Sequence, residues 1–199
     1  MEDPWDFQIH PRIFKHLTLI WGPFLCDLFA SLWNTQISQF YSWKHQPLAK
    51  GIDALAHPWN KKGNYAFPPW NQIHKIIKKI KREECQLCLI TPYYQTQPWF
   101  SSLVNLCIDS PIKIIMAPDS LTDAQGLPHP LITQNKLSLI GWRLSGCKLD
   151  REAFLSQLPK SSKILPGKRP QKPINTNGLP GVIGVIQGRY IHFNPTSLI

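Results

Sequence analysis

Tyr65-Ala66-Phe67-Pro68-Pro69-Trp70, the following run Asn71-Gln72-Ile73-His74-Lys75-Ile76-Ile77-Lys78-Lys79-Ile80-Lys81-Arg82-Glu83-Glu84, and then Leu87-Cys88-Leu89-Ile90-Thr91 decide the fold class. Tyr65 to Phe67 is short and apolar and meets two prolines, as expected of a strand that ends abruptly. Between Asn71 and Glu84, Ile73, Ile76, Ile77 and Ile80 recur at helical spacing and form one apolar stripe. Lys75, Lys78, Lys79, Lys81 and Arg82 lie largely off that stripe, giving the helix a basic outer face. Leu87 to Thr91 is continuously apolar, the pattern of a buried strand.

The alternation continues outward. Arg12 to Ile20 reads as a helix packed by Ile13, Phe14 and Leu17 and stopped by Trp21-Gly22-Pro23. Phe24 to Phe29 reads as a buried strand that ends in the small residues Ala30 and Ser31, and Gln39 to Trp43 as another strand. Downstream, a helix is expected over Pro98 to Ile108, a strand over Lys113 to Met116 and a last strand over Leu137 to Trp142. This order predicts an α/β fold, a mainly parallel open sheet with helices on both faces. Ligands of such sheets sit beyond the carboxyl ends of the strands. Asp27 to Ser31, Phe67 to Trp70 and Thr91 to Tyr94 are therefore expected on one rim.

The reading divides the chain into an α/β domain over residues 1–158, a basic Pro-rich linker over 159–181 and a short C-terminal β-hairpin or tail over 182–199. In the linker Lys160, Lys163, Lys168, Arg169 and Lys172 alternate with Pro159, Pro166, Pro170 and Pro173, and no acid appears. The hairpin would turn at Gln187 and Gly188. With 199 residues, 43% of them hydrophobic, the chain is long enough to build a sizeable core. Its formal charge of +10 points to an anionic partner such as nucleic acid, although basic proteins without one are common.

Five cysteines, mostly inside apolar runs, suit a reducing compartment. The acidic start Met1-Glu2-Asp3-Pro4 lacks the pattern of a secretory signal, and no apolar run reaches bilayer length. The expectation is an intracellular protein, in nucleus or cytoplasm, with no membrane partner.

Several chemistries find no residues to carry them. Cys85 and Cys88 have the spacing of a zinc or redox pair, but no second pair or nearby histidine completes a site, so no metal is expected. The sequence has no glycine-flanked serine elbow, no Walker or Rossmann glycine signature, and no Tyr-x-Asp-Asp or assembled carboxylate set for two-metal chemistry. The Phe67 to Trp70 turn says more. Two prolines fix its backbone and leave carbonyls free at the rim, where an aromatic ring can stack on a planar group or pack into the core. Trp59, Trp99 and Trp142 carry the same two alternatives.

Taken in order, Asp27-Leu-Phe-Ala-Ser, Asn34, Tyr41 with Ser42, Asp53 with Ala54, Trp59, Tyr65-Ala-Phe-Pro-Pro-Trp, Lys79-Ile80, Leu89-Ile90-Thr91-Pro92, Gln97-Pro-Trp-Phe, His129-Pro130 and Trp142-Arg-Leu-Ser-Gly form a longer pattern. It resembles the segment between the ribonuclease H and tyrosine recombinase regions of DIRS-type retrotransposon polyproteins. That segment is similar to phage-type Dam adenine-N6 methyltransferases.

The resemblance implies a methyltransferase-like (Rossmann-like) sheet that binds S-adenosylmethionine. Asp27, Phe29, Ala30 and Asp53 fall at its cofactor positions, and Phe67, Pro68, Pro69 and Trp70 at its target-base turn. An adenine amine needs a polar acceptor at the turn's first position, and here that residue is Phe67. The strand end also lacks the glycines that let a backbone approach a bulky ligand. A degenerate DNA adenine methyltransferase-like domain, weak or inactive, is the implied function.

The alternative is a noncatalytic nucleic-acid-binding or spacer module. It would use Lys75, Lys78, Lys79, Lys81 and Arg82 with Lys168, Arg169 and Lys172 to contact phosphates beside neighbouring reverse transcriptase, ribonuclease H or recombinase domains. A solvated basic face and a plain linker are the non-functional readings of the same residues.

Overall fold

A computed structural model describes residues 6–158 and 181–194 of the chain. The linker residues 159–180, with Lys168, Arg169 and Lys172, lie outside the described residues. In chain order the elements are β1 (Gln8–Ile9), α1 (Pro11–Trp21), β2 (Cys26–Asp27), β3 (Tyr41–Ser42), β4 (Gly51–Ile52), β5 (Asn64–Ala66), α2 (Ile73–Glu83), β6 (Gln86–Pro92) and α3 (Phe100–Leu106). There follow β7 (Ile112–Ile114), β8 (Leu121–Thr122), α4 (Pro130–Thr133), β9 (Leu139–Ser145), α5 (Lys148–Gln157), β10 (Val182–Ile186) and β11 (Arg189–His192). Short 3-10 turns sit at Ala54–Ala56 and Trp70–Gln72.

The expected parallel open sheet of methyltransferase-like, Rossmann-like type is not what the chain forms. The central sheet is mixed, with strand order β2-β5-β6-β9-β7. Strands β2, β5 and β6 are parallel, but β9 runs antiparallel to both β6 and β7. Three two-stranded sheets accompany it, β1–β8 and β10–β11 antiparallel and β3–β4 parallel. The reason lies in residues 115–138. A parallel strand needs a crossover that returns the chain to the starting end of the sheet, usually through a helix. Here the connection pairs β8 with β1 and forms only the four-residue α4, so the chain re-enters at the end where β7 left, with Leu139 opposite Ile114.

Alternation along β6 divides the core between the two sides of the sheet. Leu87 and Leu89 join Ile73, Ile76, Ile77 and Ile80 of α2 and residues of α3 and α5, whereas Cys88 and Ile90 join Ile13, Leu17 and Trp21 of α1. Cys85 belongs to the first cluster and Cys88 to the second, so the two thiols stand on opposite faces. Burial pushes the Cys85 thiol up to about 11 and raises that of Cys88 further.

Strand β9 passes into α5 at Gly146, where any Cβ would lie 1.9 Å from the Ile80 carbonyl oxygen. The hairpin β10–β11 turns at Gln187 (φ 48°) and Gly188 (φ 74°), the left-handed pair that a tight two-residue loop requires. Its Ile183, Ile186 and Ile191 are buried in the α2 side of the core. Among the described residues, no helix is long and apolar enough to cross a membrane.

Candidate functional site

Strands β2 and β5 are parallel, β3 and β4 are parallel, and a parallel bridge between Asp27 and Phe40 joins the two pairs. Their carboxyl ends therefore share one rim. A cavity of about 470 Å³ opens there. Leu28, Phe29, Ala30 and Ser31 enter it after β2, Trp43 and Lys44 after β3, Asp53 and Ala54 after β4, and Phe67 and Pro69 after β5. Asp6 and Phe7 close one side, and Asn71 and Gln72 of the turn before α2 another.

The loops that shape the cavity are held by their own polar groups. Asp6 accepts hydrogen bonds from Ser31 Oγ (3.2 Å), Trp33 Nε1 (2.6 Å) and Asn34 Nδ2 (2.5 Å). Asn34 Oδ1 in turn accepts from the Ser31 amide at 2.7 Å, and Gln46 Oε1 from the Leu32 amide at 2.7 Å. Asp53 sits at φ 54°, in the left-handed region that Asp tolerates, and its Oδ1 caps the Leu55 amide at 3.0 Å. Trp43, 60% exposed, presents an aromatic ring at the cavity.

Of the cofactor positions taken from the sequence, Phe29, Ala30 and Asp53 line this cavity. Asp27 does not. It is 3% exposed, its Oδ1 accepts the Phe29 amide at 3.3 Å, and it faces a smaller void shared with Gln36, Tyr65 and Phe67. Burial raises its carboxyl to about 7, against the lowering effect of the Phe29 and Gln36 amides. Of the base-turn residues, Phe67 and Pro69 face the cavity and Pro68 is buried. Trp70 is not among the lining residues; its ring stands edge-on to Tyr94 at 5.7 Å and tilted to His129 at 6.4 Å.

The basic helix needs one revision. Lys75, Lys78, Lys81 and Arg82 are exposed, but Lys79 is 5% exposed. Its Nζ donates to Glu83 Oε1 at 2.6 Å and lies 5.3 Å from the Trp59 ring centroid. Glu83 Oε2 accepts the Trp59 amide at 2.9 Å, and Trp59 Nε1 donates to the Ala54 carbonyl at 2.8 Å. Burial alone raises the Glu83 carboxyl, but the bonds from Lys79 and Trp59 hold it below the usual range. This node fastens the loop that carries Asp53. Lys79→Ala is expected to lower stability by about 1–3 kcal/mol because Glu83 loses its short bond to Lys79 and keeps as charged partner only the longer, exposed contact with Arg82 at 3.5 Å. Lys78→Ala is expected to stay within about 0.5 kcal/mol. Urea unfolding of both variants measures the difference.

Trp59, Trp99 and Trp142 are buried core residues. Trp43, Lys44 and Gln46 were missed as site residues, although a strand expected to end at Trp43 places its next residues on the same rim. No local signal marks Asp6 and Phe7; the bonds of Asp6 to Ser31, Trp33 and Asn34 tie them to the cavity loops. Compared with known proteins, the chain matches no family model and no curated protein.

Proposed function

We propose that the cavity is the S-adenosylmethionine site of a degenerate adenine methyltransferase-like domain of retrotransposon-polyprotein origin, with weak or no methyl transfer. The observation that carries the reading is the meeting of Phe29 and Ala30, Asp53, and Phe67 and Pro69, from three separate stretches of chain, around one cavity. Its size falls in the range of small-molecule sites, roughly 300–1,000 Å³.

The lining suits a nucleoside. Trp43 offers a ring face for stacking, and Asp53 retains acceptor capacity beyond its bond to Leu55 for a hydroxyl or amine. When bound, the cofactor would supply an activated methyl group on sulfur. Phe67, also in the lining, gives a target amine no acceptor. A missing buried hydrogen bond costs about 1–3 kcal/mol, which is roughly 5- to 150-fold in rate.

Isothermal titration of the chain with millimolar S-adenosylmethionine tests the reading, and no binding heat overturns it. Asp53→Asn, which keeps the cap on Leu55 and tolerates the left-handed backbone, is expected to weaken cofactor binding at least about tenfold by removing a charged acceptor. A reading frame that continues into a reverse transcriptase and a tyrosine recombinase would support the retroelement origin.

The second reading, a noncatalytic nucleic-acid-binding or spacer module, is favoured by exposed Lys75, Lys78, Lys81 and Arg82 on a helix that starts at the cavity wall. Affinity for DNA or RNA that falls steeply with added salt supports it. Indifference to nucleic acid at low salt removes it.

A further inference from the structure

The cavity at the carboxyl ends of β2 to β5 differs in charge from the chain that surrounds it. Its charged lining residues are Asp6, Asp53 and Lys44, two acids against one lysine, in a chain whose formal charge is +10. Among the described residues neither acid enters an ion pair, and Lys44 is exposed. The same lining is aromatic, with Phe7, Phe29, Trp43 and Phe67 in it. A fifth ring, Tyr41, already has Lys50 Nζ 5.7 Å from its centroid, which leaves the other four to a ligand. Ser42 is in register with Ile52, and the Asp53 amide donates to the Ser42 carbonyl at 2.9 Å. Trp43 and Asp53 therefore leave neighbouring strands side by side.

The polar side chains of the lining are mostly spent on their own loops. Asp6 holds three donors, Asn34 Oδ1 the Ser31 amide, Gln46 Oε1 the Leu32 amide, and the Ser42 hydroxyl donates to the Lys44 carbonyl at 2.6 Å. A primary ammonium carries three N–H donors and would find few acceptors here. A sulfonium or quaternary ammonium has no N–H to satisfy and needs only π-faces and a nearby negative charge. We propose that the cavity takes an onium cation of this kind, held among these rings with Trp43 the strongest of them and the Asp53 carboxylate as its counter-charge. The class includes S-adenosylmethionine but rests on the cavity alone, so it stands or falls separately from the cofactor reading above.

Two ligand pairs test it on the full chain, each differing in charge at nearly constant shape. S-adenosylmethionine is compared by titration calorimetry with S-adenosylhomocysteine, which lacks the sulfonium methyl and its charge. Choline is compared with its neutral isostere 3,3-dimethylbutan-1-ol by NMR at the Trp43 indole N–H, assigned by its loss in Trp43→Phe. Each onium is expected to bind about tenfold tighter than its neutral partner. Trp43→Leu is expected to cut the cofactor preference to about twofold, and Trp43→Phe, which keeps a ring, to retain more of it.

Trp43 is 60% exposed, so both variants are expected to fold, and circular dichroism melting checks it. The ratios in the native chain decide the matter if one does not. Equal binding of the cofactor pair overturns the onium assignment and leaves the cofactor site standing. If S-adenosylmethionine does not bind, the cofactor reading falls and the choline pair alone decides. A preference for choline then upholds the assignment, whereas no preference or no response at Trp43 overturns it. A cofactor preference unchanged in Trp43→Leu overturns the placing of the cation at Trp43.

Discussion

Asp27→Asn is expected to be more stable than the native chain at pH 8 by on the order of 4 kcal/mol, and to differ little at pH 3.5. Asp27 is almost wholly buried at the end of β2, and burial raises its carboxyl from the ordinary 3.8 to about 7. Below about pH 4 the carboxyl is protonated in folded and unfolded chains alike, and its burial carries no charge penalty. As pH rises from 4 to 7 the unfolded chain releases this proton while the folded chain keeps it, so stability falls across that window. Above pH 7 both forms are ionised and the loss is constant.

Asparagine has no such window. Its carbonyl can still accept from the Phe29 amide. Neighbouring Tyr65 and Cys26 are themselves raised by burial, which keeps both neutral across the range. Glu83 and Asp150, held below their usual values, lose stability as pH falls, but do so equally in both chains. Urea midpoints of the two proteins from pH 3.5 to 8 therefore isolate Asp27. Parallel curves would show that its carboxyl is not raised by burial.

The parts of this molecule written in local spacing could be read directly. The isoleucine stripe of α2 is buried as its period requires, and the rule that ligands gather at strand ends pointed to the loops after β2 and β5 that now wall one cavity. The direction of β9 could not be read. An apolar run looks the same from either end, and only the connection from β7 fixes which way the strand runs. Lys79 was misplaced for a subtler reason. It stands three residues after Ile76 and four before Glu83, on the flank of the apolar stripe, where its stem can be covered and its ammonium paired. Helix α5 buries only Phe154 and Leu155, too few apolar residues to set a visible period. Asp6 meets the cavity loops through bonds to Ser31, Trp33 and Asn34 across 25 to 28 residues of chain, which no short window of sequence contains.

Trp142→Ala is expected to cost about 3–5 kcal/mol, enough to unfold a domain of ordinary stability at moderate temperature. Trp142 is fully buried in β9, opposite Leu89 of β6, so its side chain lies in the longest ladder of the sheet. Its ring meets Phe100 of α3 edge-on at 5.4 Å, and its Nε1 donates to Thr91 Oγ1 at 2.8 Å. Alanine would leave a large cavity between sheet and helix and remove the donor facing a buried hydroxyl. Trp142→Phe separates the two effects, because it keeps much of the ring volume and loses the N–H. Thr91 Oγ1 still donates to the Pro92 carbonyl at 3.2 Å, so the phenylalanine chain is expected to lose only about 1–2 kcal/mol. Thermal and urea unfolding rank the three chains. A Trp142→Ala protein as stable as the native one would mean that this ring is no part of the core, and with it the packing of β9 against α3 would fall.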